Sequence, residues 1–392
     1  NKFEFVDGFM EVQLGSFLSE VNEKTTTNNQ YPVLTSSKSG LYLQSEYFNK
    51  QVASKDNTGY KIIKRNQFTY RAMSDTGEFF PNILDCADVG IVSPAYPVFE
   101  ISDKSVIIPE YLKYFFKSNS FQHSISSFAQ GSTRTSVKFN KMRTITINIP
   151  SIEKQKETVE IIKKISAIIT HRRTQLEKLD LLVKARFVEM FGTYPTNEYD
   201  WEIGTIRDLV TEVRYGSSRK ASDNNSGKYP YLRMNNITYS GELDLSDTKT
   251  IDIPDKELPK CTVRKGDVLF NRTNSKELVG KTCVYNRDEK MVLAGFIIRI
   301  RLNEKMLPDV LSSFLNTDFS KKMLLEMCKT AIGQANINAQ EMQNIGIYIP
   351  PIELQEKFVT FKRQVDKSKA TIQKALDEAQ LLFDSLMQEY FG

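Results

Sequence analysis

The sequence is poor in the residues that carry metal and redox chemistry. Its 392 residues hold two histidines, four cysteines and one tryptophan. Cys86, Cys261, Cys283 and Cys328 are scattered at no metal or disulfide spacing, which predicts free thiols in a reducing, cytoplasmic setting. His171 sits beside Arg172 and Arg173, and His123 has no Cys or carboxylate at ligand spacing. No metal site is therefore expected. No apolar run approaches a membrane span, and mean hydropathy is −0.39, so the chain reads as a soluble globular protein away from membranes. It opens Asn1-Lys2-Phe3-Glu4, with no Met and no signal-peptide pattern, which reads as a trimmed or engineered start.

Charge of one sign is also lacking. The net charge is +5, spread as +2 over 1–150, +3 over 151–195, +1 over 196–350 and −1 over 351–392. No segment is a polycation, so any grip on nucleic acid has to be a local patch. Catalytic signatures fail one by one. Gly280-Lys281-Thr282 resembles the end of a phosphate loop, but the glycine that loop needs five residues earlier is Ser275. No Gly-x-Gly-x-x-Gly follows a strand, and no Gly-x-Ser-x-Gly elbow occurs. Asp255 and Glu257 with Lys260 lie between Pro254 and Pro259, which reads as a solvated loop rather than a nuclease cluster. The chain is expected to carry no catalytic residue, no metal and no cofactor of its own.

What the sequence does have is an internal repeat, which sets the architecture. Ile149-Pro150-Ser151-Ile152-Glu153-Lys154-Gln155 leads to Glu189-Met190-Phe191-Gly192. Ile349-Pro350-Pro351-Ile352-Glu353-Leu354-Gln355 leads to Glu389-Tyr390-Phe391-Gly392, at an offset of 200 residues throughout. Each copy predicts one long helix, with Pro at its start and Gly at its end. At about 1.5 Å per residue each would be a rod of about 60 Å. A seam of alternating three and four spacings runs through Ile162, Ile165, Ile169, Arg172, Leu176, Leu179, Val183, Arg186 and Met190. A second runs through Phe358, Phe361, Val365, Ser368, Ile372, Ala375, Ala379, Leu382 and Leu386. Such seams predict that the two helices pack on each other as a coiled coil.

A globular segment precedes each helix, so the chain divides into 1–150, 151–195, 196–350 and 351–392. The first segment predicts strands at 31–34, 60–63, 67–70, 90–93, 98–101 and 144–149, and helices at 109–116 and 121–129. The second repeats that order loosely, with a strand at 229–232, helices at 308–315 and 318–329 and a closing strand at 345–349. The fold class is mixed α/β (α+β): two globular domains separated by two long helices, with a pseudo-two-fold internal repeat. The helices are alike and the globular segments much less so, which suggests one frame carrying two different reading heads.

Polar, basic loops supply binding chemistry. Residues 111–152 contain no Asp or Glu but hold Lys113, Lys117, Arg134, Lys138, Lys141 and Arg143. The loop from Gly131 to Ser136 offers Ser132 and Arg134. The turn with Ser37 and Lys38 and the strand end with Tyr70 and Arg71 are further candidates. In the second segment they are Arg214, Arg219 and Lys220, then Arg233 and Asn235, then Arg272, Asn274 and Lys276, and finally Asn336. Arginine reads guanine and asparagine reads adenine in the major groove, each through two hydrogen bonds. The same loops also suit ordinary solvated turns, and the spacing alone does not decide.

The two Pro-x-Ile-Glu-x-Gln starts, each after a Gly-containing polar loop and before a long heptad helix, resemble the specificity (S) subunits of Type I restriction-modification systems. So do Gly40-Leu41-Tyr42-Leu43-Gln44-Ser45-Glu46-Tyr47-Phe48 and Gly90-Ile91-Val92-Ser93-Pro94-Ala95-Tyr96. The resemblance covers essentially the whole chain. It implies two target-recognition domains, each reading one half of a bipartite site in double-stranded DNA, with two antiparallel helices that set the gap. It implies two copies of a methylation (M) subunit and a restriction (R) subunit as partners. S-adenosylmethionine would sit on the methylation subunit, and ATP and Mg on the restriction subunit. The recognition domains are the variable part of that family, so the contact residues above rest on their chemistry and not on the resemblance.

Overall fold

The computed structural model describes residues 8–47, 56–129, 135–222, 225–331 and 334–392. Two compact units make up the chain. Unit 1 holds residues 1–171 and 375–392, and unit 2 holds 172–374. The cut falls inside both long helices, Ile152–Phe191 and Ile352–Phe391, so each helix gives one part of its length to each unit.

In unit 1, Phe9–Gln13 runs antiparallel to Thr146–Pro150. This pair ties the start of the globular part to the strand that feeds the first long helix. An antiparallel sheet orders Leu18–Val21, Val98–Ile101, Phe68–Thr69 and Asn82–Ile83. Its apolar face meets the helices Pro109–Phe115 and Asn119–Ser126 through aromatic rings. Phe68 stacks on Phe99 at 5.5 Å and Phe99 on Phe139 at 4.9 Å, while Phe116 meets Phe121 edge-on at 4.9 Å. The second of those helices starts two residues earlier than expected, because the Ser118 side chain caps it by accepting from the Phe121 amide.

Unit 2 repeats this frame. Glu202–Thr205 pairs with Gly346–Ile349, and a sheet orders Val210–Tyr215, Ile297–Leu302, Val268–Asn271 and Thr282–Val284. Helices Pro308–Leu315 and Asp318–Met327 cover it. A second four-stranded sheet joins Lys249–Ile251, Tyr229–Leu232, Met291–Leu293 and Thr262–Val263. Unit 1 has two two-stranded ribbons instead, Leu34–Ser36 with Leu41–Leu43 and Lys61–Lys64 with Val89–Val92. A charged cluster is buried in unit 2: Arg301 pairs with Asp267 at 2.8 Å and Glu212 at 2.6 Å, and the fully buried Arg299 pairs with Glu212 at 3.0 Å.

One buried glutamine fixes each long helix to its sheet-bearing part in the same way. Gln155 accepts from the Ile108 amide at 3.0 Å and donates to the carbonyls of Val106 and Pro150, both at 2.9 Å. Gln355 accepts from the Leu307 amide at 2.8 Å and donates to Lys305 at 2.9 Å and Pro350 at 2.8 Å. This explains the glutamine in both helix starts: a buried amide is tolerated when its polar atoms are satisfied.

The helices pack antiparallel in both places. In unit 1, Val159 and Ile162 share a core with Phe383, Met387 and Phe391, and Phe391 lies 4.8 Å from the Tyr111 ring. In unit 2, Phe187 and Phe191 meet Phe358 at 5.4 and 5.5 Å. The first seam is as expected: Ile162, Ile165 and Ile169 are buried and the other six positions half-buried. The second seam is corrected. Ser368 and Leu382 are exposed, and the inward row is Lys362, Val365, Lys369, Ile372, Leu376, Ala379, Phe383, Leu386 and Tyr390. This row stands 200 residues after the first at every position. Lysines at two of its places hide the apolar stripe in the sequence. Both are paired, Lys362 with Asp309 and Asp366 and Lys369 with Asp180 and Glu242.

Candidate nucleic-acid interface

Two candidate residues of unit 1, Arg71 and Lys138, flank a short ribbon. Met73–Ser74 pairs with Thr135–Ser136, in the register Ser74 to Thr135 and Met73 to Ser136. The Val137 amide continues the ladder onto the Ala72 carbonyl at 3.1 Å, so Arg71 and Lys138 flank the same ribbon end. Arg71 lies 3.6 Å from Asp75, and Lys138 is exposed at the start of Phe139–Met142. Tyr70 is withdrawn from the candidates. It is fully buried, and its hydroxyl donates to the Val137 carbonyl at 3.0 Å. Phe68, Thr69 and Tyr70 are all fully buried, so this strand and its end have no solvent face. Ser37 and Lys38 lie in the hairpin turn after Leu34–Ser36, where Ser37 bonds Ser39 and Gly40, and Lys38 pairs with Glu78 at 3.0 Å. Ser132 and Arg134 lie outside the described residues.

Unit 2 carries the same ribbon at an offset of 200. Thr273–Asn274 pairs with Gln334–Asn336, in the register Asn274 to Ala335 and Thr273 to Asn336. The register of these two strands is kept and every paired side chain differs from its counterpart in unit 1, while in unit 2 a third strand, Lys329–Ala331, pairs with the other edge of Gln334–Asn336. Here the structure brings Arg272, Asn274 and Asn336 together. Arg272 Nη2 donates to Asn336 Oδ1 at 3.2 Å, and Asn336 Nδ2 donates to Thr273 Oγ1 at 2.9 Å. Asn274 Nδ2 donates to Asn271 at 3.1 Å. The guanidinium of Arg272 lies 4.8 Å from the centre of the Tyr215 ring, a cation–π contact. Tyr215, the aromatic of the basic stretch beginning at Arg214, was not among the residues expected to bind. An aromatic beside arginines is the sequence signal for it, but the partner arginine comes from a strand more than fifty residues away.

The remaining arginines are answered by carboxylates. Arg214 pairs with Glu212 at 3.2 Å, Arg219 with Glu257 at 2.8 Å and Arg233 with Asp247 at 2.7 Å. The side-chain bond between Arg219 and Glu257 raises the first group's pKa and lowers the second's. Lys220, Asn235 and Lys276 are exposed. Asn235 sits in the short helical turn Met234–Asn236, and Lys276 two residues after the ribbon strand Thr273–Asn274. Among the described residues no carboxylate stands within ion-pair distance of Arg272. The same residues contain no group of His, Cys, Asp and Glu that could hold a metal, and no helix long and apolar enough to cross a membrane.

Comparison with known proteins places this frame. The family described as the Type I restriction modification DNA specificity domain matches residues 6–179 and 198–380, once in each half of the chain. The EcoKI specificity subunit of Escherichia coli K12 is 23% identical over 300 residues, which are 73% of this chain and 64% of that protein. The StySPI specificity subunit of Salmonella potsdam is 25% identical over 299 residues, 72% of this chain and 64% of that protein. The alignments thus span a little under two thirds of these relatives. The solved S subunit of the Type I system of M. genitalium has the same fold, with a TM-score of 0.54 at 13% identity over 100% of this chain and 97% of that one. With both repeats matched, the chain belongs to the Type I restriction modification DNA specificity family.

Proposed function

We propose that the chain is the sequence-specific DNA-recognition subunit of a Type I restriction-modification complex. Each globular part reads one half of a bipartite site, and the long helices set the spacing and bind methylation subunits. The observation that carries this reading is the double family match on a repeated frame whose ribbons keep their register and change their side chains. The working assembly is cytoplasmic, with two methylation subunits, a restriction subunit and double-stranded DNA. S-adenosylmethionine belongs to the methylation subunits, ATP and Mg to the restriction subunit, and catalysis to neither globular part of this chain. The weak net charge of +5 fits a protein whose partners share the phosphate contacts.

The test is a domain exchange in the assembled complex. Replacing residues 1–150 by the equivalent part of a relative should change one half of the methylated sequence, read by sequencing modified DNA, and leave the other half as it was. A change in both halves, in a complex that still assembles, contradicts the reading. The chain alone should transfer no methyl group and cut no DNA, and methyl transfer with partners rigorously excluded would contradict that part.

A further inference from the structure

We infer that the ribbon of Thr273–Asn274 with Gln334–Asn336 is the base-reading element of unit 2, and that Arg272 reads a guanine from it with Tyr215 as its positioning residue. The inference rests on the proposed function and goes one step deeper, to a single side chain and a single base.

Three observations converge on Arg272. First, it is the one candidate arginine of unit 2 with no carboxylate partner among the described residues. A guanidinium has five N–H donors; here one bond goes from Nη2 to Asn336 and Nε is buried without a partner, so the donors left for a ligand are on the two Nη groups. Charge left unneutralised beside a polar ribbon suits an incoming acceptor pair, and guanine offers O6 and N7 to such a fork. Second, the group is held before any ligand arrives. The Tyr215 ring supports one face at 4.8 Å, Asn336 holds Nη2, and the Tyr215 hydroxyl is itself fixed by accepting from the Ala339 amide at 2.9 Å. Ordering a long side chain in advance lowers the cost of binding. Third, the same ribbon in unit 1 has Ala72 where unit 2 has Arg272 and Ser136 where it has Asn336, in the same register of the two strands. An element kept in register with its side chains changed is what two heads need in order to read different half-sites.

The test uses this chain assembled with its methylation subunits and a duplex library randomised over both half-sites. Arg272→Lys keeps the charge and loses the fork, and Tyr215→Leu removes the supporting ring. Each should lower the preference for guanine at one position of the half-site read by unit 2, by between about five- and a hundred-fold. The other half-site should be untouched. Tyr215→Phe keeps the ring but loses the bond from the Ala339 amide, and should fall between the wild type and Tyr215→Leu. Assembly is checked by co-purification, and Arg272→Lys is the milder change should Tyr215→Leu disturb the ribbon. Unchanged preference at every base overturns the inference, as does a loss that is uniform over all sequences, which would mark Arg272 as a phosphate contact. If the wild-type complex selects no sequence at all, it is the proposed function that fails.

Discussion

Single residues of unit 2 are placed where burial works against their charge. Lys281 is buried and donates to the Met234 carbonyl at 2.9 Å. Lys321 donates to the Gly280 carbonyl at 3.2 Å and stands 5.4 Å from the centre of the Tyr239 ring. Burial above all, then the charges of Lys184 and Lys281, push Lys321 down from 10.5 to about 8. Between those two values the unfolded chain keeps a proton that the folded one has released, so this group makes stability rise with pH. Lys321→Met should therefore be more stable than the parent at pH 7, and the gap in Tm should narrow as pH climbs from about 8 toward 10.5. A gap that stays constant would show that Lys321 is not strained by its charge. Gln155 makes the opposite case, a buried polar group fully answered by its surroundings. Gln155→Leu would strand an amide and two carbonyls, each costing about 1–3 kcal/mol when unpaired. Chemical denaturation should show a loss of at least about 2 kcal/mol, and Gln355→Leu should match it.

At the scale of elements, the register of the second helix is open to direct measurement. Leu376 is 9% exposed and Leu382 is 51% exposed. Leu376→Ala should cost about 2–4 kcal/mol, while Leu382→Ala should stay within about 0.5 kcal/mol. Equal losses would restore the stripe through Ser368 and Leu382. The long helices were legible in the sequence because a period sustained over ten turns outweighs local noise, and their flanking proline and glycine mark the ends. The strands at 98–101 and 229–232 were legible for a similar reason, as compact apolar runs. What escaped was decided by distant residues. The sequence around Phe9 and around Thr146 gives no sign that the two pair. Lys362 and Lys369 look like surface residues until their partners, Asp309 and Asp180 among them, are seen beside them. The same holds for the candidate site. Arg219, Arg233 and Arg272 read alike as arginines in polar loops. Glu257 and Asp247, brought in by folding, separate the first two from the third. Tyr70 failed because both faces of its stretch are buried, so that Phe68, Thr69 and Tyr70 all point into packed surroundings.

At the scale of the whole molecule, the proposed function makes the paired helices a ruler. Inserting one matched heptad into each, opposite one another, keeps the seam in phase and adds about 10 Å. With about ten base pairs in roughly 34–36 Å of DNA, the gap between half-sites should grow by up to about three base pairs, with the bases of each half unchanged. An assembled, active variant that still methylates the original spacing defeats the ruler. The division of the helices between units also has a consequence in time. Phe383, Met387 and Phe391 complete the core of unit 1, yet a ribosome makes them more than 200 residues after Val159 and Ile162, their partners in that core. Unit 2 has its whole sequence, 172–374, in hand first. At about 5–20 residues per second, the earliest part of unit 1 waits on the order of 10–40 s for its closing helix. Of the two units, the one whose synthesis begins earlier is thus the one that closes later. Nascent chains stalled before residue 375 should show a protease-resistant unit 2 beside a unit 1 that is still open to cleavage.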